Sequence, residues 1–215
     1  MLTILAIVIL SYLAGSFPTS IIMSKLFKGI DIRDYGSGNA GATNVYRIVG
    51  WQAALITVIV DIGKGTLATV LISQLRIGTP PAIFPSLFQI LGGVSAIIGH
   101  SYPIFAGFRG GKGVATGAGM VMGLYPIIFL ICLSVFILLV MLSGLVSLAS
   151  MSAAVTLPIC VYLFKGSTDL PLLIFSIIIP LFIIYTHREN IQRLLKGEEK
   201  SLDNLKIFGR NKKED

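Results

Sequence analysis

The chain has 215 residues, of which 54% are apolar and only 13% charged, and its mean hydropathy is +0.87. These values exclude a water-exposed globular surface, so lipid is the solvent for most of the chain. The net charge of +7 lies in short segments beside apolar runs, densest over residues 188–213, which points to anionic headgroups or a phosphate-bearing substrate and away from nucleic acid.

In chain order, the first apolar run covers residues 2–24 and has no basic segment before it, the first lysine being Lys25. It reads as a retained span with its N-terminus outside, not as a cleaved signal peptide. Further runs long enough for about 30 Å of hydrocarbon cover 51–75, 82–105, 127–142, 145–164 and 171–185. From Ala115 up to Lys165 there is no charged residue at all, enough for two spans. Residues 113–124 are uncharged and rich in Gly, Ala, Val and Met, but short, and read as a short span or a re-entrant turn. Lys25, Lys28, Arg33 and Arg47 follow the first span, Arg109 and Lys112 the third, and Arg188 onward the last, whereas Arg76 and Lys165 lie in the alternate loops. The positive-inside rule puts all three basic groups in the cytoplasm only if the crossings are odd in number. The expected fold is therefore an all-α polytopic membrane protein with about seven transmembrane helices, one of them short, N-terminus outside and C-terminus cytoplasmic. Residues 1–195 read as a single integral membrane domain and 196–215 as a basic cytoplasmic tail. A re-entrant 113–124 with six spans is the alternative. Cys132 and Cys160 lie inside apolar runs with no ligand-spaced partner, so they read as packing residues, with neither metal nor disulfide.

Three polar stretches interrupt the apolar pattern. The first is Gly36-Ser37-Gly38-Asn39-Ala40-Gly41-Ala42-Thr43-Asn44, followed by Arg47. It matches G-x-G-x-x-G, but a dinucleotide fingerprint needs a strand before it and a soluble βαβ unit, and here a membrane helix precedes it. Its glycines and the donors Ser37, Thr43, Asn44 and Arg47 suit a phosphate cradle; the plain alternative is a flexible loop. The second stretch runs from Gly99-His100-Ser101 to Arg109-Gly110-Gly111-Lys112-Gly113-Val114-Ala115-Thr116. Ala106 and Gly113 stand where a Walker A loop needs Gly and Ser or Thr, so a nucleotide is not supported. Backbone N–H groups at a helix start, with Arg109 and Lys112, converge on an anion; Tyr102, Phe105 and Phe108 also fit an interfacial aromatic belt. The third, Thr186-His187-Arg188-Glu189-Asn190-Ile191-Gln192-Arg193-Leu194, places His187, Asn190 and Leu194 on one helical face and pairs Glu189 with Arg193 on another. Asp61 and Lys64 lie inside the second span at i,i+3, where they pair with each other or form a site wall or an ion route.

Together these three blocks resemble the bacterial acyl-phosphate:glycerol-3-phosphate acyltransferases, the PlsY family of membrane enzymes. The first fits G-S-G-N-x-G-x-T-N and the third T-H-R-x-N-I; the second departs mildly at Tyr102 and Arg109, and both changes keep the chemistry. The Asp61, Lys64, Gly65 group is also similar to the family. The resemblance implies acyl transfer from an acyl phosphate to the 1-hydroxyl of sn-glycerol 3-phosphate, giving 1-acylglycerol 3-phosphate (lysophosphatidic acid) and phosphate. It further implies a bacterial cytoplasmic membrane, a site facing the cytoplasm, no cofactor, no metal, membrane lipids as surroundings, and a functional link to the soluble enzyme that makes acyl phosphate. Carried over residue by residue, the catalytic set is Ser37, Arg47, Lys112, His187 and Asn190. Gly36, Gly38, Asn39, Gly41, Thr43, Asn44, His100, Gly110, Gly111, Gly113 and Thr116 form the substrate and phosphate cradle. The H-x-x-x-x-D pair of acyl-CoA and acyl-carrier-protein acyltransferases is missing, because Phe105 and Gln192 follow His100 and His187 at that spacing.

An acyl phosphate carries its own good leaving group, so positioning and oxyanion stabilisation suffice. The hydroxyl proton goes either to a substrate phosphate or to His187. A phosphate-ester or ion transporter is the rival from another class, but it needs access from both sides and a midplane site, and no internal repeat is visible. A structural membrane protein is the third reading.

Overall fold

A computed structural model describes residues 1–78, 85–165, 169–202 and 206. Among these it is all helical: α1 (Leu2–Gly15), α2 (Thr19–Lys28), α3 (Ala42–Ile48), α4 (Trp51–Val70), α5 (Pro85–Ser101), α6 (Val114–Leu124), α7 (Pro126–Ser143), α8 (Val146–Lys165), α9 (Leu170–Thr186) and α10 (Arg188–Leu195). Five helical stretches are long and apolar enough to cross a membrane, and the pair α9 and α10, bent by 63°, raises this to six. The start of the expected third run, 82–84, and most of the expected tail, 203–205 and 207–215, lie outside the described residues. Residues 113–124, read as a span or a turn, form the 11-residue helix α6, whose rise of about 16 Å is well short of the hydrocarbon thickness.

The chain divides into two compact units, Met1–Pro126 and Ile127–Asp215. In the first, α1, α4, α5 and α6 cross one another at small residues. A Cβ on Gly15 would fall on the backbone of Ala96, one on Gly99 on the Tyr12 carbonyl, one on Gly65 on the Thr116 carbonyl and one on Gly119 on the Ile62 carbonyl. Water gives no drive for helices to associate inside lipid, so close backbone approach and interhelical hydrogen bonds supply it. Thr66 adds one such bond, donating from Oγ1 to the Gly119 carbonyl at 2.9 Å. The first apolar run is not continuous. Pro18 has no N–H to give to Ala14, so the helix breaks between α1 and α2, and the Phe17 carbonyl accepts from Lys64 Nζ at 3.2 Å.

In the second unit, Gly144 ends α7 in the left-handed conformation (φ 72°) that a residue with a Cβ adopts only under strain. Its carbonyl accepts from the Leu202 N–H at 2.9 Å. Glu199 accepts from Ser147 Oγ on α8 (2.8 Å) and from Asn190 Nδ2 (2.6 Å) and Arg193 Nε (2.8 Å) on α10. The C-terminal segment is thereby strapped to the α7–α8 turn and to α10. Arg193 pairs with Glu199, not with the exposed Glu189 that i,i+4 spacing suggested, because the nearly buried carboxylate of Glu199 already gathers Asn190 and Ser147.

Candidate active site

The first polar stretch is a constructed loop. Its start is held by Asp31, whose carboxylate accepts from the backbone and guanidinium of Arg33 at 2.7–3.0 Å. That guanidinium, with burial opposing it, lowers the Asp31 carboxyl to about 2. A short 3-10 turn, Ile32–Asp34, follows. The loop then bends through Gly36 and Gly38, both at positive φ (67° and 71°). Asn44, buried on α3, organises the bend: its Nδ2 donates to the carbonyls of Ile32, Tyr35 and Asn39, and its Oδ1 accepts from the Ser37 N–H at 3.0 Å. A Cβ on Gly36 would collide with that Oδ1. Asn44 therefore shapes the loop, while Ser37 stands exposed at its tip and Arg47 on the last turn of α3. Asn39, Gly41 and Thr43 are half-buried around the start of α3. Beneath the loop lies an apolar floor of Ile21, Ile32, Ala40, Val45, Ala53 and Ala54.

The second stretch leaves the end of α5 and doubles back on it. Gly110 N–H donates to the Ser101 carbonyl at 3.2 Å and Gly111 N–H to the His100 carbonyl at 3.1 Å. Side chains cannot be accommodated at either glycine: a Cβ on Gly110 would meet the His100 carbonyl and one on Gly111 the His100 ring. The excursion between the end of α5 and Gly110 carries a left-handed Gly107 and, unusually for a bulky residue, Phe108 at φ 60°. Gly113, at φ 83°, turns the chain into α6, so the helix begins two residues after Lys112. Arg109 is exposed, Lys112 half-buried, and Thr116 wholly buried where α6 meets Gly65 of α4.

These two loops pack on each other. Arg33 donates from Nη1 to the Ala106 carbonyl at 2.7 Å, and a Cβ on Gly111 would lie 3.1 Å from the Ala40 carbonyl. Ser20 of α2 supports the junction by donating to that same Ala40 carbonyl at 2.8 Å. The first two expected blocks, with Ser37, Arg47 and Lys112, thus belong to one side of the first unit. Sequence reasoning missed Arg33 as a strut, having read it only as a cytoplasmic cation. It also missed Ser20, whose partner is 20 residues away.

His187 and Asn190 belong to the second unit, at the bend between α9 and α10. His187 is 3% exposed, and its Nδ1 lies 2.8 Å from the Ile183 carbonyl. A carbonyl only accepts, so Nδ1 carries a proton. Burial raises the Glu199 carboxyl, but the hydrogen bonds from Asn190, Arg193 and Ser147 outweigh it and hold the group below its ordinary value. Among the described residues no group of His, Cys, Asp and Glu could hold a metal ion.

Comparison with known proteins gives a consistent result. A family model described as glycerol-3-phosphate acyltransferase matches residues 5–197. The glycerol-3-phosphate acyltransferase of Chlorobaculum tepidum is 44% identical, covering 98% of this chain and 99% of its own length. That of Chlorobium phaeobacteroides strain BS1 is 46% identical over 93% of this chain and 96% of its own. Two crystal structures of PlsY, an integral membrane glycerol 3-phosphate acyltransferase, share 35% identity with the chain. The glycerol 3-phosphate form has a TM-score of 0.82 and covers 94% of this chain and 96% of its own; for the lysophosphatidic acid form the score is 0.80.

Proposed function

The chain belongs to the glycerol-3-phosphate acyltransferase family of integral membrane proteins, and from that premise we propose that its acyl donor is an acyl phosphate and its acceptor the 1-hydroxyl of sn-glycerol 3-phosphate. The products are 1-acylglycerol 3-phosphate and inorganic phosphate. The observation that carries this reading is the packing of the two glycine loops on each other, with exposed Ser37 on one and Lys112 on the other. A hydroxyl and cations gathered beside apolar helices suit substrates that are phosphate at one end and hydrocarbon at the other.

In the reaction the acceptor oxygen attacks the donor carbonyl, the C–O bond to phosphate breaks, and the hydroxyl proton leaves on the phosphate. Atoms and charge balance without a covalent enzyme intermediate, and no residue need supply a strong base. Arg47 and Lys112 neutralise phosphate, and Ser37 donates to it or to the carbonyl oxyanion. His187 and Asn190 are assigned to the reaction by the family resemblance alone. The membrane is the bacterial cytoplasmic membrane, with the loops on the cytoplasmic side, where a soluble enzyme would deliver acyl phosphate. Charge distribution supports an odd number of crossings, with α6 as the short one.

Purified protein in detergent, given acyl phosphate and glycerol 3-phosphate, is expected to form lysophosphatidate, and acyl-CoA is not expected to replace the donor. Lys112→Ala should lower turnover by at least about a hundredfold. Absence of product from the unaltered chain, or full activity in the variant, would sink the proposal.

A further inference from the structure

Below the two loops lies a group of side chains for which acyl transfer has no direct use. Asp61, 2% exposed on α4, is in the interior of a span, where a carboxylate persists only with partners. Its Oδ1 pairs with Lys64 Nζ at 2.8 Å, accepts from Thr19 Oγ1 at 3.2 Å and faces His100 Nδ1 at 3.6 Å. One carboxylate thus joins the start of α2, the middle of α4 and the end of α5. Lys64 alone would neutralise it, so pairing does not account for the other two contacts.

Both contacts lead to the loops. Thr19 is followed by Ser20, whose hydroxyl holds the Ala40 carbonyl in the first loop. His100 carries Gly111 on its carbonyl and has its ring against the Cα of the same glycine, one residue before Lys112. A small cavity lined by Phe17, Ala40, Asp61, His100, Gly110 and Gly111 marks where these layers meet. With Nδ1 turned to the carboxylate, the His100 ring has a fixed orientation beneath the loop.

We propose that Asp61 is a positioning residue for phosphate binding: acting through Thr19–Ser20 and through His100, it fixes the height at which the first loop and the Gly110–Lys112 segment meet a substrate phosphate. This rests on the reading of these loops as the phosphate-handling part of an acyltransferase. Asp61 itself touches no substrate. Its loss should therefore weaken acquisition of glycerol 3-phosphate more than it slows the bound complex.

The test uses the full-length chain in detergent with Asp61→Asn and Lys64→Met combined, which removes both charges together and leaves no buried charge unpaired. The expected result is a KM for glycerol 3-phosphate raised about tenfold or more, with kcat changed by less than about threefold and the melting temperature kept. Backbone hydrogen exchange at Gly110 and Gly111 should quicken by about tenfold or more, because their acceptors lose the ring's support. His100→Gln, a second variant in case the first does not fold, should show the same KM and exchange changes. Added to the double replacement, its effect should be less than additive. Wild-type KM and wild-type exchange in a folded variant would overturn the proposal, as would a fall in kcat and melting temperature with KM unchanged. Should the unaltered chain make no lysophosphatidate, the acyltransfer reading fails separately, and hydrogen exchange still decides whether Asp61 holds the loops.

Discussion

At the scale of single residues, several side chains named for their chemistry turn out to shape the backbone that carries it. Asn44 is the clearest instance, since all four of its described side-chain hydrogen bonds go to its own loop and its neighbours. Glu199 plays the same part in the second unit, joining α8, α10 and the C-terminal segment. Its carboxyl is held below the ordinary value, so the stabilisation it gives is complete above the unfolded pKa, about 4.3. That stabilisation is lost as pH falls through the lower folded value. Melting temperature measured from pH 7 down to pH 3 should therefore decline more steeply for the unaltered chain than for Glu199→Gln, and parallel curves would contradict this. Ser37, Arg47 and Lys112 are legible in the sequence as candidates, because glycines and cations in an uncharged chain stand out. Asp61 with His100, and Asn190 with Glu199, were not legible as pairs, because spacing along a chain reports neighbours on one helix and not those on different ones.

Among the elements, sequence pattern located the helices well and their breaks poorly. The long apolar runs became α4, α5, α7, α8 and α9 with boundaries shifted by a few residues. The run 2–24 stays within one candidate span, Leu2–Lys28, but its helix is interrupted before Thr19, because mean hydropathy does not register the N–H that Pro18 lacks. Residues 113–124 read as a short span, with a re-entrant turn as the alternative, and in α6 their glycines serve close crossing: Gly119 lies against the Ile62 carbonyl and Gly123 against Thr69 and Val70. Gly119→Val should force α4 and α6 apart and cost about 1–3 kcal/mol, seen as a lower melting temperature in detergent. Gly63→Ala is the matched control on α4, with open space at its Cβ position, and should leave that temperature unchanged or raise it slightly. Equal losses in both variants would count against close crossing as the reason for these glycines.

For the molecule as a whole, all-helical architecture and membrane embedding could be read from composition alone, whereas the number of crossings could not, because it turns on one 11-residue helix. Charge asymmetry offers a prediction that geometry does not. In a background with Cys132 and Cys160 replaced by alanine, a single cysteine at Arg76 should react with a membrane-impermeant maleimide applied to intact cells. One at Lys200 should react only after permeabilisation. Labelling of position 200 from outside would make the crossings even and α6 re-entrant.

The break at Pro18 also bears on how the protein meets lipids of different length. Phe17 and Thr19 are both gripped from α4, by Lys64 and Asp61, whereas α1 on the far side of the break leans on α5 through Gly15 and Gly99. A thicker or thinner bilayer makes a rigid rod tilt to keep its apolar length covered. Here such a tilt of α1 can be absorbed at the joint, so α2 and the loop above it need not follow. If the joint works in this way, activity in vesicles of short-chain and of long-chain lipids should differ by less than about threefold.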